Sequence, residues 1–539
     1  MLRKQSVIFQ TLLLNLLAFA AFGRVDKLRV IWQGNASTSA TIAWNQASGT
    51  DPVLLLDVND FGKNADEYGL SKRPDRIQLA DDMNNHFVRL ENLLPNMTYY
   101  FLIKDSEGTS LRYFFTTAPN SPDRRLSIIA GGDSRNHREA RQDANILVAK
   151  LRPHCVMFGG DFTENDHPKE WKDWFDDWQL SIAEDGRVTP IIVTRGNHEY
   201  SNKSLIDLFD MRAAGGFYAT SLGGDLVRIY TLNTLIPAGG EQRDWLENDL
   251  RSHGSKYHWR IGQYHHPMRP HTARKSEKND QVAYWAPLFL KYNVNLMVEC
   301  DAHVVKSTWP IRPDNGPGSD EGFVRDDENG TVYIGEGCWG APLRSNDDDK
   351  TWTRASGSFN EFNWIFIDKE KIEVRTVMTD GAGRVANIDP KNIFTSPVGL
   401  RIWNPANGDV ITIAAKAPAV PAFDENMLAS RGGSEQGASK HPSAHAVEDE
   451  TGNWEACPLI VADAATGEAQ IKYNVDETSN VVIRVINPKL QEVTRLELSN
   501  QTPREYLRSL KISHLPPGKY LAIVKGDRKV LRRYRLVKN

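Results

Sequence analysis

Hydrophobic and polar positions along the chain change their rhythm at about residue 120 and again at about residue 395. Before the first change, apolar and polar residues alternate over short runs. Ala40, Ile42 and Trp44 alternate with Ser39 and Thr41, as in a half-buried strand. Val53–Val58, His86–Leu90, Leu94–Ile103 and Leu111–Thr116 repeat the pattern between turn signals, which predicts a small β-sandwich over residues 24–120. After a polar connector, the strands become short apolar runs, at Leu126–Ala130, Val156–Phe158, Pro190–Thr194, Trp259–Tyr264 and Val294–Glu299. Such runs suit strands buried on both faces. Ala144, Leu147 and Leu151 mark one helix face, and Trp171, Trp174, Phe175 and Trp178 another, whose aromatic stripe reads as core packing. Strands alternating with helices predict a layered α/β domain over 121–394. The remainder, 395–539, reads as a carboxy-terminal β-sandwich, with Val481–Val485, Leu515–Val524 and Val530–Val537 as strands. Residues 417–455 lack periodicity and read as a flexible segment.

The amino terminus stands apart. Arg3 and Lys4 precede an apolar run from Val7 to Phe22 with small residues near its end, the order of a signal peptide over 1–23. An exported protein is expected, in the periplasm, on the cell surface or secreted. No other stretch is long enough for a permanent membrane span. The formal net charge of −4 argues against a nucleic-acid polymer as partner. Cys155, Cys300, Cys338 and Cys457 are widely separated, which excludes a zinc ribbon or a Cys-x-x-Cys redox pair. Nothing in the pattern indicates an oligomeric state.

Candidate chemistry gathers in the α/β segment. Gly132-Asp133-Ser134-Arg135, Gly160-Asp161-Phe162-Thr163-Glu164, Gly196-Asn197-His198-Glu199, His265-His266-Pro267 and Asp301-Ala302-His303 mostly follow predicted strands directly. Oxygen and imidazole donors without thiolate suit iron, zinc or manganese. A carboxylate can bridge two such ions, and a two-metal site clamps both oxygens of a phosphoryl displacement. Gly335–Gly340 has dinucleotide-like glycine spacing, but no helix pattern follows it, so a nucleotide fingerprint is rejected there.

In this order the five blocks resemble the calcineurin-like metallophosphoesterase superfamily, with Gly-Asn-His-Glu at 196–199 the most specific match. Trp44, the Leu94-Pro-Asn-Met-Thr-Tyr-Tyr segment and Phe114-Phe-Thr-Thr look like a fibronectin-III-type domain. Together they make the chain similar to purple acid phosphatases. The resemblance implies a four-layer α/β domain holding two divalent or trivalent metal ions (Fe, Zn or Mn). It puts Asp133 and His303 on the first ion, Asp161 between the two, and Asn197 and His265 on the second. It gives His198 contact with the phosphate and assistance to the leaving group, with hydroxide held by the metals as nucleophile. The substrate would be a small phosphate ester or a nucleotide-type molecule.

Three positions depart from the family pattern. Arg135 stands where the superfamily often has a ligand His. A guanidinium has no lone pair to give, so a bidentate contact with substrate phosphate is expected ahead of the alternative, a structural salt bridge. Glu164 replaces the metal-binding Tyr of the purple enzymes, which removes the phenolate behind their colour and leaves either a hard oxygen ligand or a solvent-facing side chain. Asp301 replaces an imidazole and would give the second metal a carboxylate. His271 is a further candidate for substrate contact, or a loop histidine. The expected activity is hydrolysis of phosphate mono- or diesters. The alternative, which Arg135 and Asp301 keep open, is a non-catalytic cell-surface or glycan-binding protein with a degenerate site.

Overall fold

The computed structural model describes residues 25–415, 459–461, 468–487, 492–527 and 530–538. The signal peptide expected at 1–23 and the flexible segment expected at 417–455 lie outside the described residues. The chain divides into two compact units between residues 420 and 421.

In the first unit the amino-terminal strands form two sheets. Val25–Ile31 (β1) pairs with Ala40–Gln46, followed by Met83–Leu90 and Arg76–Ala80. Tyr113–Thr116, Thr98–Asp105, Val53–Asp57 and Leu70–Lys72 make the facing sheet. Ile42, Trp44, Leu54, Phe101 and Phe115 fill the space between them. One expectation fails here. The 40–46 strand is buried along its whole length, not on one face. The reason is that its sheet continues into the α/β domain, where Ile31 of β1 pairs in parallel with Ile191. Helices of that domain then cover the second face. Arg29 Nε donates to Leu208 O at 2.8 Å, and the Arg29 guanidinium lies 4.5 Å from the Phe175 ring.

The α/β domain follows as Leu126–Gly131 (β2), Arg138–Leu151 (α1), Cys155–Phe158 (β3), Pro168–Trp178 (α2), Ile191–Val193 (β4), Asn202–Phe209 (α3), Glu241–Ser252 (α4), Trp259–Gln263 (β5), Leu296–Glu299 (β6), Val332–Gly335 (β7) and Glu361–Ile367 (β8). The strands β2, β3, β4 and β1 run side by side in a ten-stranded sheet. Ile411–Ala414 pairs with Lys371–Met378 at its other edge and carries this sheet past residue 394. A second sheet of eight strands contains β5, β6 and β7 in parallel. Ile128, Met157, Ile261, Val298 and Ile334 pack between the two sheets. Leu147 of α1, Trp174 of α2 and Phe209 of α3 cover the outer face of the first sheet. Leu246 and Leu250 of α4, with Leu288 and Phe289, cover that of the second. The result is the four-layer arrangement expected.

The aromatic stripe of α2 is core, as its spacing implies. Trp171, Trp174, Phe175 and Trp178 are all buried, and Trp174 stacks on Trp178 with centroids 5.2 Å apart. A proline in the first turn starts this helix, where its missing N–H has no intrahelical partner to lose.

The second unit is a β-sandwich. Ser479–Ile486, Gly518–Lys525 and Val530–Lys538 belong to a five-stranded sheet. Glu468–Val475 and Arg504–Lys511 form a facing antiparallel pair. Ala469, Ile471, Tyr473 and Val475 alternate with outward residues and pack on Val481, Ile483 and Val485. Among the described residues, no helix is long and apolar enough to cross a membrane.

Candidate metal centre

The strands β2, β3, β4, β5 and β6 each lead at their carboxyl ends into one of the five blocks. Right after these strands the backbone turns left-handed at Asp133 (φ 59°), Arg135 (φ 42°), Asp161 (φ 53°), Asp301 (φ 68°) and His303 (φ 55°). Side chains adopt this region rarely, and a cluster of such residues at one place marks a functional site rather than ordinary turns. The first two blocks are laced together, since Asp133 N–H donates to Gly160 O (3.0 Å) and Ser134 N–H to Asp161 O (3.1 Å). From α2, Trp174 Nε1 donates to Ser134 Oγ at 3.0 Å, so the aromatic core anchors the loop that carries Asp133 and Arg135. Gly337 is required by close approach: a Cβ there would stand 1.9 Å from Asp133 Oδ2.

The side chains converge. Asp133, Asp161 and His265 offer donor atoms that all lie within 4.8 Å of one another, and so do His265, His266 and Asp301. His265 Nε2 lies 3.0 Å from Asn197 Oδ1, 3.2 Å from Asp161 Oδ1 and 3.7 Å from Asp301 Oδ1. His303 Nε2 lies 3.1 Å from Asp133 Oδ1. The rings share one orientation device. His265 Nδ1 faces Gly159 O (2.9 Å), His303 Nδ1 faces Pro342 O (2.8 Å), and His198 Nδ1 faces Glu164 O. A carbonyl can only accept, so each Nδ1–H donates outward and each Nε2 turns toward the cluster.

Charge is concentrated here on buried side chains. Asp133, Asp161 and His265 are fully buried, and Asp301 and His303 nearly so. Burial opposes the charge on His265, but the Asp161 and Asp133 carboxylates outweigh it and push the imidazole up to about 10. Burial likewise opposes charge on Asp301, yet His265, His266 and Lys275 hold its carboxyl below the ordinary range. Asp161 is also held low, by His265 and His198 against burial. Asp161 and Asp301 are thus carboxylates kept ionised, against burial, by neighbouring positive charge.

The other candidates sit at the rim or behind it. Arg135 is buried, with Nη2 3.3 Å from Asp161 Oδ2 and Nη1 3.3 Å from Glu164 Oε1. Glu164 is 38 % exposed and pairs with Arg135, while its carbonyl holds His198. His198 keeps partial exposure, and its Nε2 lies 3.7 Å from Asp161 Oδ2. His271 is not brought to this cluster. Its ring is fully buried, with Nε2 2.7 Å from Thr353 Oγ1 and Nδ1 3.7 Å from Glu336.

Three residues with no role assigned from the sequence hold the cluster in place. The Glu199 carboxylate accepts the N–H groups of Asp161 (3.0 Å), Phe162 (2.9 Å) and Gly196 (2.7 Å), tying the second block to the third. Burial and the Asp161 charge push it up to about 8. Its signal was present as the last letter of Gly-Asn-His-Glu. Lys275 donates to Asp301 Oδ1 at 2.5 Å, and Arg344 Nη1 donates to Asp301 O at 2.6 Å. Neither cation has a local sequence cue.

The donor set fits a pair of hard or borderline cations. Six oxygen or imidazole side chains converge, no cysteine belongs to the donor groups among the described residues, and three Nε2 atoms are already aimed by backbone carbonyls. Asp133 and His303 form one half, Asn197, His265 and Asp301 the other, with Asp161 touching both the His265 side and the Arg135 rim.

Comparison with known proteins agrees with this geometry. Residues 25–117 match the purple acid phosphatase N-terminal domain, and residues 132–304 match the calcineurin-like phosphoesterase family. An uncharacterized protein of Mycobacterium tuberculosis is 24 % identical over 395 residues, spanning 60 % of this chain and 70 % of that one. Among solved structures, purple acid phosphatase PPD1 from yellow lupin (Lupinus luteus) seeds superposes with a TM-score of 0.57 at 16 % identity, over 73 % of this chain and 74 % of that one. The structure of PhoD gives 0.52 at 12 % identity, over 73 % and 92 %. The chain therefore joins a purple acid phosphatase N-terminal domain to a calcineurin-like metallophosphoesterase domain and carries a buried Asp/His cluster at the ends of that domain's strands.

Proposed function

We propose that this chain is an exported, metal-dependent hydrolase of phosphate mono- or diesters, acting on a small phosphate ester or nucleotide-type substrate. The observation that carries the reading is the convergence of Asp133, Asp161, Asn197, His265, Asp301 and His303 in one buried cluster. Two iron, zinc or manganese ions bound there supply Lewis-acid activation of water and of the phosphoryl oxygens. The chain's own residues do the rest. Asp161 lies between the two halves and fixes their spacing. Glu199 holds the Asp161 backbone so that its carboxylate cannot swing away. Arg135 presents a guanidinium at the rim, where it pairs with Glu164 and is aimed to exchange that partner for a phosphate oxygen. His198, fixed through Nδ1, turns Nε2 toward the cluster and in its imidazolium form would give a proton to the departing alkoxide. Export rests on the residue pattern at 1–23 and is tested by the amino-terminal sequence of the mature protein.

The test is metal analysis of the purified chain, with hydrolysis of aryl phosphate and bis-aryl phosphate. The hydrolase reading requires near-stoichiometric metal and turnover. Clearly substoichiometric metal and no turnover after metal addition favour the non-catalytic surface or glycan-binding alternative, which the Arg135–Asp161 ion pair supports. His198→Ala is expected to slow an alkyl ester by about 10²–10⁴-fold. It should barely slow an aryl ester whose leaving group needs no proton. Equal losses on both would remove His198 from the acid role.

A further inference from the structure

We infer that Lys275 is a built-in counter-cation for Asp301 and competes with the second metal ion for the same carboxylate oxygen. This rests on the two-metal reading above. Asp301 Oδ1 is the oxygen that faces the cluster, 3.7 Å from His265 Nε2. That same atom accepts from Lys275 Nζ at 2.5 Å. Lys275 reaches it from the loop that follows His265, where its N–H donates to Thr272 O (3.2 Å). The Lys275 side chain is 23 % exposed and Asp301 is 3 % exposed, so the ammonium seals the carboxylate from the solvent side.

Charge explains why the two residues go together. A neutral imidazole at position 301 would add no charge to the site. An aspartate adds one negative charge, and a paired lysine cancels it. The Asp301–Lys275 pair therefore keeps the net charge of a neutral imidazole while changing the donor from nitrogen to oxygen. On the other side Arg135 Nη2 lies 3.3 Å from Asp161 Oδ2, but among the described contacts no cationic side chain pairs with the Asp133 carboxylate except the His303 imidazole. Asp133 Oδ1 faces the His303 imidazole, and its Oδ2 accepts the Asp301 backbone N–H at 2.9 Å. Arg344 binds the Asp301 carbonyl, not its carboxylate, and so fixes the loop without blocking the ligand atom. An ion entering the second position must displace an ammonium from Oδ1. An ion entering the first displaces no ammonium and meets only the longer Arg135 contact on Asp161.

The experiment is equilibrium dialysis of metal-free protein against Zn²⁺ or Mn²⁺, with bound metal counted by mass spectrometry. Wild type, Lys275→Met, Lys275→Arg and Asp301→Ala are compared after circular dichroism confirms folding. The wild-type chain is expected to fill in two separate steps. Lys275→Met should tighten the second step about 10–100-fold and leave the first unchanged. Lys275→Arg should keep the wild-type separation, and Asp301→Ala should weaken only the second step. Two steps that Lys275→Met leaves unchanged, or a second step that it weakens, overturn this inference alone. A wild-type chain that binds no ion in either position overturns it together with the hydrolase reading. Because the readout is stoichiometry and affinity, slow turnover has no bearing on the outcome.

Discussion

Asp161→Ala is expected to abolish metal occupancy and to lower turnover by at least about 10³-fold. No other side chain in the cluster has so many dependents. Its Oδ1 accepts the His198 N–H (2.9 Å) and faces His265, while its Oδ2 faces Arg135 and the His198 ring. Removing the carboxylate takes away the ligand proposed to be shared and one of the charges that keep the His265 imidazole paired. It also leaves the Arg135 guanidinium with Glu164 alone. Asp161→Asn serves as the partner measurement, because it preserves shape and the acceptor for His198 N–H but deletes the charge. Both variants should show native circular dichroism and lack metal. If Asp161→Asn binds two ions and turns over at the wild-type rate, the residue does not bridge.

Much of this was legible in the sequence because the chemistry lies at strand ends. An apolar run followed by glycine and a carboxylate is a local pattern, and β2 and β3 each display it, while β4 leads to Gly196 and the Asn197 carboxamide. The helix stripe at Trp171, Trp174, Phe175 and Trp178 was equally plain, since spacing alone reports a buried face. What failed did so for non-local reasons. The 40–46 strand reads as half-buried because Thr41 and Asn45 are polar, yet α2 and α3 cover that face from more than a hundred residues away. Arg29 satisfies itself there through Leu208 O, Lys27 O and Asn85, a partnership with no sequence signature.

The site shows the same division. The meeting of residues that stand at strand ends, such as Asp133 and His303, was readable. Residues whose meaning depends on a partner were not. Glu164 occupies a ligand position by spacing but turns to Arg135, because a glutamate next to a buried guanidinium gains more from that pair than from a crowded anionic pocket. His271 follows His265 closely in sequence, but its backbone N–H is bound to the Glu336 carboxylate at 3.0 Å, which draws its ring into the core. Lys275 matters only because position 301 is an aspartate.

The largest stability loss is expected from Lys306→Met, about 3–5 kcal/mol. Lys306 is 2 % exposed and sits between two carboxylates, Glu299 at the end of β6 and Glu336 just after β7, with the Glu336 contact at 2.5 Å. Burial disfavours its charge, but the two carboxylates raise its pKa above the ordinary lysine value and keep it protonated. The trio also clamps the loop behind the site. Met268 N–H donates to Glu299 (2.9 Å), His271 N–H to Glu336 (3.0 Å), and Lys306 Nζ to Arg269 O (3.1 Å). Through Glu336 O, which accepts the His303 N–H at 2.8 Å, the same clamp reaches a candidate ligand. Removing the ammonium strands two buried carboxylates, and that uncompensated charge, rather than lost packing, is the source of the cost. The urea midpoint of the first unit should fall by roughly 1–2 M. The triple variant Glu299→Gln, Lys306→Met, Glu336→Gln separates the two causes: it should recover most of the loss, since neutral amides no longer need a counter-charge yet still accept from Met268 and His271. A triple variant as unstable as Lys306→Met would assign the cost to packing and remove the charge argument.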